Sequence, residues 1–163
     1  MKIKILDRNI MFYVVTIISI IALSIAYIAE YIFKLTPCHL CILQRYPYFV
    51  LFIIGIIGIN ISKNYYRDNF LNLIIIFCCI IIFILAAYHY FVEIGFFYGT
   101  SECTLKLSNT NIVEEILANS SRSCQDINWK IFGVSVTIIH SIVGLIETAY
   151  FTLAFFYNLK TRN

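Results

Sequence analysis

Residues 70–92 read FLNLIIIFCCIIIFILAAYHYFV, an apolar run without one charged side chain. A helix needs about 20 such residues to cross the hydrocarbon core of a bilayer. Backbone N–H and C=O groups in lipid must be paired within the segment. A helix is therefore the reading, despite the abundance of β-branched isoleucine. Three more apolar blocks accompany this one, from Ile10 to about Phe33, from Leu43 to Ser62 and from Phe132 to Tyr157. The expected fold is an all-α membrane protein, a four-transmembrane-helix bundle. A long external loop, about 93–131, separates the third helix from the fourth, and residues 1–163 are expected to form a single integral membrane domain.

Composition points the same way. Apolar residues make up 61% of the chain and charged residues 13%; soluble domains run at roughly half and about a quarter. A chain of 163 residues has too little interior to hide that much apolar surface. The first block is longer than the apolar core of a signal peptide and no small-x-small site closes it, so it is expected to stay as an anchor.

Basic residues set the expected orientation. Lys2, Lys4 and Arg8 precede the first block, Lys63 and Arg67 sit in the turn SKNYYRDN, and Lys160 and Arg162 follow the last block. These three segments fall on one side of a four-helix chain, which makes that side cytoplasmic. The net charge of +3 is then a topology signal, and nothing suggests a nucleic-acid surface.

The cysteines carry the chemistry. Cys38 and Cys41 form a C-x-x-C in the first external connection, and Cys103 and Cys124 lie in the long loop on the same side. That side is where disulfides persist. Cys78 and Cys79 fall in the middle of the third block and read as small packing residues. A C-x-x-C supplies half of a zinc site, and His39, Cys103 and Cys124 are candidates to complete one. Ile42 after Cys41 breaks the covalent haem pattern, while His89 and His140 remain candidates for a non-covalent haem. A structural staple between Cys103 and Cys124 would stabilise the fold by roughly 3 kcal/mol in the chain-entropy account, but it leaves Cys38 and Cys41 unexplained.

Redox chemistry explains more of the pattern. Cys41 falls at or just before the start of the second helix, where a helix dipole favours a reactive thiol. Arg45 follows at i+4 on the same face. An arginine at the edge of a bilayer is a functional suspect, and this one can steady an anionic reduction product. Pro37 steers Thr36 to extended backbone. Pro47 lies in the first turns of the second helix and removes few hydrogen bonds there. His89 and Glu93, one turn apart at the outer end of the third helix, are candidate proton-handling groups. Within the loop, Asn111 and Glu114 make a capping-box pattern before Ile116 and Leu117, which suggests a short surface helix.

Three stretches resemble the disulfide bond formation protein B (DsbB) family of bacterial inner membranes: PCHLCILQR (residues 37–45), YHYFVEIGFFYGTSEC (88–103) and CQDINWKIFGVS (124–135). The resemblance covers about residues 10–157. It implies a thiol:quinone oxidoreductase whose partner is a periplasmic thioredoxin-fold disulfide donor. Cys103 and Cys124 would take electrons from that donor and pass them to Cys38 and Cys41, and Cys41 would pass them to a membrane quinone, ubiquinone or menaquinone. Arg45, His89 and Glu93 would be quinone-side residues, with no metal required. A membrane scaffold or transporter-like protein with a structural loop disulfide is the competing expectation.

Overall fold

The computed structural model describes residues 8–61, 64–97, 130–131 and 133–162. Helix α1 spans Arg8–Tyr31. The second crossing is made by α2 (His39–Leu43) and α3 (Arg45–Asn60), which together run almost unbroken. Helix α4 spans Tyr65–Glu93 and α5 spans Val136–Arg162. Four helical segments are long and apolar enough to cross a membrane, as the sequence predicts. Large apolar side chains such as Ile25, Phe77, Ile146 and Phe156 cover the outside. In water such a surface would associate; in lipid it is solvated.

Helix ends differ from the sequence boundaries, for local reasons. The second crossing starts at His39 rather than Leu43, because Cys38 caps it. Its one irregularity is at Gln44, where Pro47 crowds the Leu43 carbonyl and lacks the N–H that would bond it. Helix α4 starts at Tyr65, with Asn64 Oδ1 accepting from Arg67 N–H at 3.4 Å, so YYRDN is helical rather than turn. Helix α5 starts at Val136. Before it, Lys130–Ile131 pairs antiparallel with Val134–Ser135 around Gly133, and among the described residues this short ribbon is the one pair of strands.

Packing follows two strong seams, α1 on α3 and α4 on α5, joined through α3 and α4; α1 and α5 scarcely touch. Gly55 and Gly58 bring α3 onto Val15, Thr16 and Phe12 of α1, where any side chain would collide. A Cβ on Gly144 would stand 3.2 Å from Phe83 Cα, so glycine sets the approach of α5 to α4 as well. The core contains Met11, Phe12, Leu51, Ile75, Ile82 and Phe151, with Cys78 and Cys79 packed among them. At the end away from the C-x-x-C, Arg8 of α1 reaches Asp68 of α4 at 2.7 Å and the carbonyls of Gly58 and Ile61 at 3.0 and 3.2 Å. One guanidinium thus fastens three helices.

Candidate active site

Cys38 opens the second crossing. Its backbone is extended (φ −75°, ψ 166°) and its Sγ accepts from Cys41 N–H at 3.3 Å. This is N-cap geometry with sulfur in place of the usual oxygen. Cys41 therefore lies inside the first turn, and the two Sγ atoms stand 2.8 Å apart as free thiols. Helix α4 contributes His89, whose Nε2 is 3.5 Å from Cys38 Sγ. Cys38 and His89 are both buried.

The sequence favours Cys41 as the helix-terminal thiol; the structure gives that place to Cys38. The Cys41 thiol donates to a Cys38 thiolate, and this is the largest influence on it. Burial opposes ionisation. His89 then adds a hydrogen bond and its charge, and Cys41 N–H a further donor. Together they pull the Cys38 thiol down to about 4.

Arg45, one turn beyond Cys41, points to α1. It pairs with Glu30 at 2.5 Å, and its guanidinium carbon lies 5.1 Å from the centre of the Tyr27 ring. A lone acid near the end of an apolar span implies such a partner, so Glu30 had a signal in the sequence. Glu93 does not turn to His89. It accepts from the hydroxyls of Ser135, at 2.8 Å, and Thr137. Ser135 Oγ also accepts from Thr137 N–H at 3.2 Å, which caps α5. Glu93 thereby ties the end of α4 to the start of α5. His140 turns to α2 and α3: its Nδ1 lies 3.1 Å from Gln44 Oε1 and its Nε2 lies 3.0 Å from the Tyr48 hydroxyl.

These groups share one cavity of about 660 Å³, mostly apolar, bounded by α1 on one side and α5 on the other. Its size is that of sites for small organic ligands. Cys38, Cys41, Arg45, His89 and Glu93 all line it, together with Glu30, Gln44, Tyr48, His140 and Glu147. Cys103, Cys124 and the 111–117 segment lie outside the described residues. Cys38, Cys41 and His89 place three donor atoms within 4.8 Å of one another, a set that suits a thiophilic metal ion, while His39 is exposed and stands apart from it.

The chain can now be set beside known proteins. No solved structure matches it. It is 35% identical over 147 residues to the uncharacterized protein RP370 of Rickettsia prowazekii (strain Madrid E), a match covering 86% of this chain and 83% of that protein. Residues 8–155 match the family described as "Disulfide bond formation protein DsbB". That span includes the first three membrane crossings, most of the fourth and both cysteine pairs. A multi-pass helical bundle with paired thiols at a helix start, matched along nearly its whole length, belongs to the DsbB family of disulfide bond formation proteins.

Proposed function

We propose that the protein is a thiol:quinone oxidoreductase of the bacterial inner membrane, which reoxidises a periplasmic thioredoxin-fold disulfide donor. The observation that carries this reading is the placement of Cys38 and Cys41 on the wall of a mostly apolar cavity of about 660 Å³, set among membrane-crossing helices. One end of the site serves a water-soluble protein and the other a lipid-soluble oxidant. The termini are cytoplasmic in this reading, and both cysteine pairs face the periplasm.

Electrons balance in two exchanges. A thiolate of the reduced donor attacks the Cys103–Cys124 disulfide at Cys103, and the donor's second thiolate resolves the mixed disulfide. The donor leaves oxidised, and Cys103 and Cys124 are left as thiols. Cys103 then attacks Cys38 of the Cys38–Cys41 disulfide and releases Cys41. Attack of Cys124 on Cys103 completes the exchange and frees Cys38. Two electrons and two protons now reside on Cys38 and Cys41. The low thiol pKa of Cys38 makes it a good leaving group in this second step.

The cavity suits a quinone. Its walls are mostly apolar, yet Arg45 Nε, Gln44 Nε2 and His89 Nδ1 are buried without hydrogen-bond partners among the described residues. A quinone supplies carbonyl acceptors for such donors and takes up two electrons and two protons as it becomes a quinol. Cys41 gives up the electron pair as the Cys38–Cys41 disulfide re-forms. Arg45, braced by Glu30, offers a fixed positive charge to the thiolate and to a reduced oxygen. His89 holds Cys38 and can carry its proton.

The test follows quinone absorbance while purified protein is mixed with a reduced thioredoxin-fold donor, with ubiquinone and menaquinone analogues in turn. Turnover by the native protein is expected, and Cys41→Ser should abolish it. No turnover with either quinone, despite intact external disulfides, would favour the scaffold reading.

A further inference from the structure

Gln44 is buried, lines the cavity and lies in the same helical turn as Cys41 and Arg45. Its side chain is held from one side only. Tyr48 O–H donates to His140 Nε2 at 3.0 Å, and His140 Nδ1–H donates to Gln44 Oε1 at 3.1 Å. The direction follows from chemistry: a phenol is a stronger donor than an imidazole N–H, and a glutamine Oε1 only accepts. The Tyr48 and His140 rings also stack, with centres 5.7 Å apart. This chain fixes the rotation of the amide and leaves Gln44 Nε2 with two N–H bonds and no partner among the described residues. A buried donor left unmade is costly unless something completes it.

We propose that Gln44 binds the cavity's ligand directly: its Nε2 donates to a carbonyl oxygen of the quinone, oriented by His140 and Tyr48. The inference rests on the quinone reading above and adds the group that grips the ring. Arg45 supplies charge; Gln44 supplies a neutral, directed donor one residue away. His140 and Tyr48 are positioning residues, since their polar atoms are spent on each other and on Gln44.

The first readout is binding rather than turnover. Gln44 and Gln125 are the two glutamines of the chain. In full-length protein labelled with 15N-glutamine and held in nanodiscs, a Gln125→Asn variant assigns the two side-chain amides. A short-chain benzoquinone should shift the Gln44 N–H2 signals saturably. An alkane of the same tail length should leave them in place. In the assay, Gln44→Leu should raise the quinone KM by roughly 2- to 10-fold, the worth of one neutral hydrogen bond, with kcat kept. His140→Leu should raise it less, because the amide remains but is no longer held. Disulfide exchange with the donor protein should not change in either variant.

Unmoved Gln44 signals while the native protein reduces the added quinone would overturn the inference alone. So would an unchanged KM in folded Gln44→Leu. If that variant does not fold, the spectra of the glutamine-labelled protein decide. Failure of the native protein to bind or reduce any quinone is a separate result, and it removes the quinone reading together with the inference.

Discussion

The bundle buries polar groups at both ends, and the two ends use them differently. At the Arg8 end, a guanidinium meets a carboxylate and two carbonyls. Three helices are pinned there, with Arg8 Nε and Asp68 Oδ2 held against each other as an ion pair. At the Cys38 end, Gln44, His89 and Arg45 each have one side engaged and one donor left over, around an open cavity. The difference separates a fastening from a site. Burial and polarity are common to both; donors that line the 660 Å³ cavity belong to the Cys38 end.

The largest effects should come from breaking the open end. Loss of the Cys41 sulfur removes one partner of the re-forming disulfide, so Cys41→Ser should reduce quinone turnover to the buffer background. Stability should barely change, because Cys41 is only partly buried and serine keeps a hydrogen-bonding hydroxyl beside Cys38. Activity and thermal unfolding measured on the same preparation separate the two.

The closed end should show the reverse pattern. Asp68→Leu strands the Arg8 guanidinium in a site where both side chains are nearly inaccessible. Removing one partner of a buried pair costs about 3–5 kcal/mol. Replacing both, as Arg8→Met with Asp68→Leu, should recover most of that loss, since a well-packed apolar pair matches a buried ion pair. Unfolding in detergent reads the cost. Turnover per folded molecule should stay at the native level in both variants, and a drop would mean that the two ends are coupled.

A third test sharpens the contrast through pH. The Cys38 thiol sits near 4 in the folded protein, against 9.0 for a free cysteine. Alkylation of the reduced protein should hold its rate across the neutral range and fall only as pH approaches about 4. Cys41→Ala removes the largest cause and should move the midpoint up furthest, with His89→Leu next. The sign for stability follows from linkage. A depressed pKa stabilises the fold fully above the unfolded value, so the reduced protein gains stability as pH rises from about 4 to 9 and loses it on the way down. With both thiols in a disulfide, the oxidised protein lacks this slope. Unfolding midpoints of the two forms, followed against pH, should therefore diverge.

The sequence made the crossings legible because lipid demands long apolar runs, and it made Cys38, Cys41 and Arg45 legible because they are neighbours along one helix. It hid what depends on helix rotation and on partners from other helices. Gln44 reads as an unremarkable polar residue until His140 of α5 and Tyr48 of α3 close around it. Asp68 reads as part of a charged turn, yet it is buried against Arg8, more than fifty residues back in the chain. Cys38 was hard to see as a cap because sulfur is not among the usual capping atoms. The His89–Glu93 spacing suggested a pair, but each side chain is claimed by a different neighbour, Cys38 and the start of α5.

The smallest expected effect falls on the residue that fits neither end. Glu147, midway along α5, is 4% exposed, and both carboxyl oxygens lack a hydrogen-bond partner among the described residues. It borders the same cavity as Cys41 but stands about 10 Å below His140, two helical turns deeper in the bundle. A buried polar group without a partner costs about 1–3 kcal/mol. If Glu147 belongs only to the cavity floor, Glu147→Leu should raise stability by roughly that amount while leaving the quinone KM unchanged. The working donors would then be confined to the level of Gln44 and Arg45. A stabilised variant with a raised KM would instead extend the open end to the middle of the membrane and make the carboxyl a second polar contact for whatever fills the cavity.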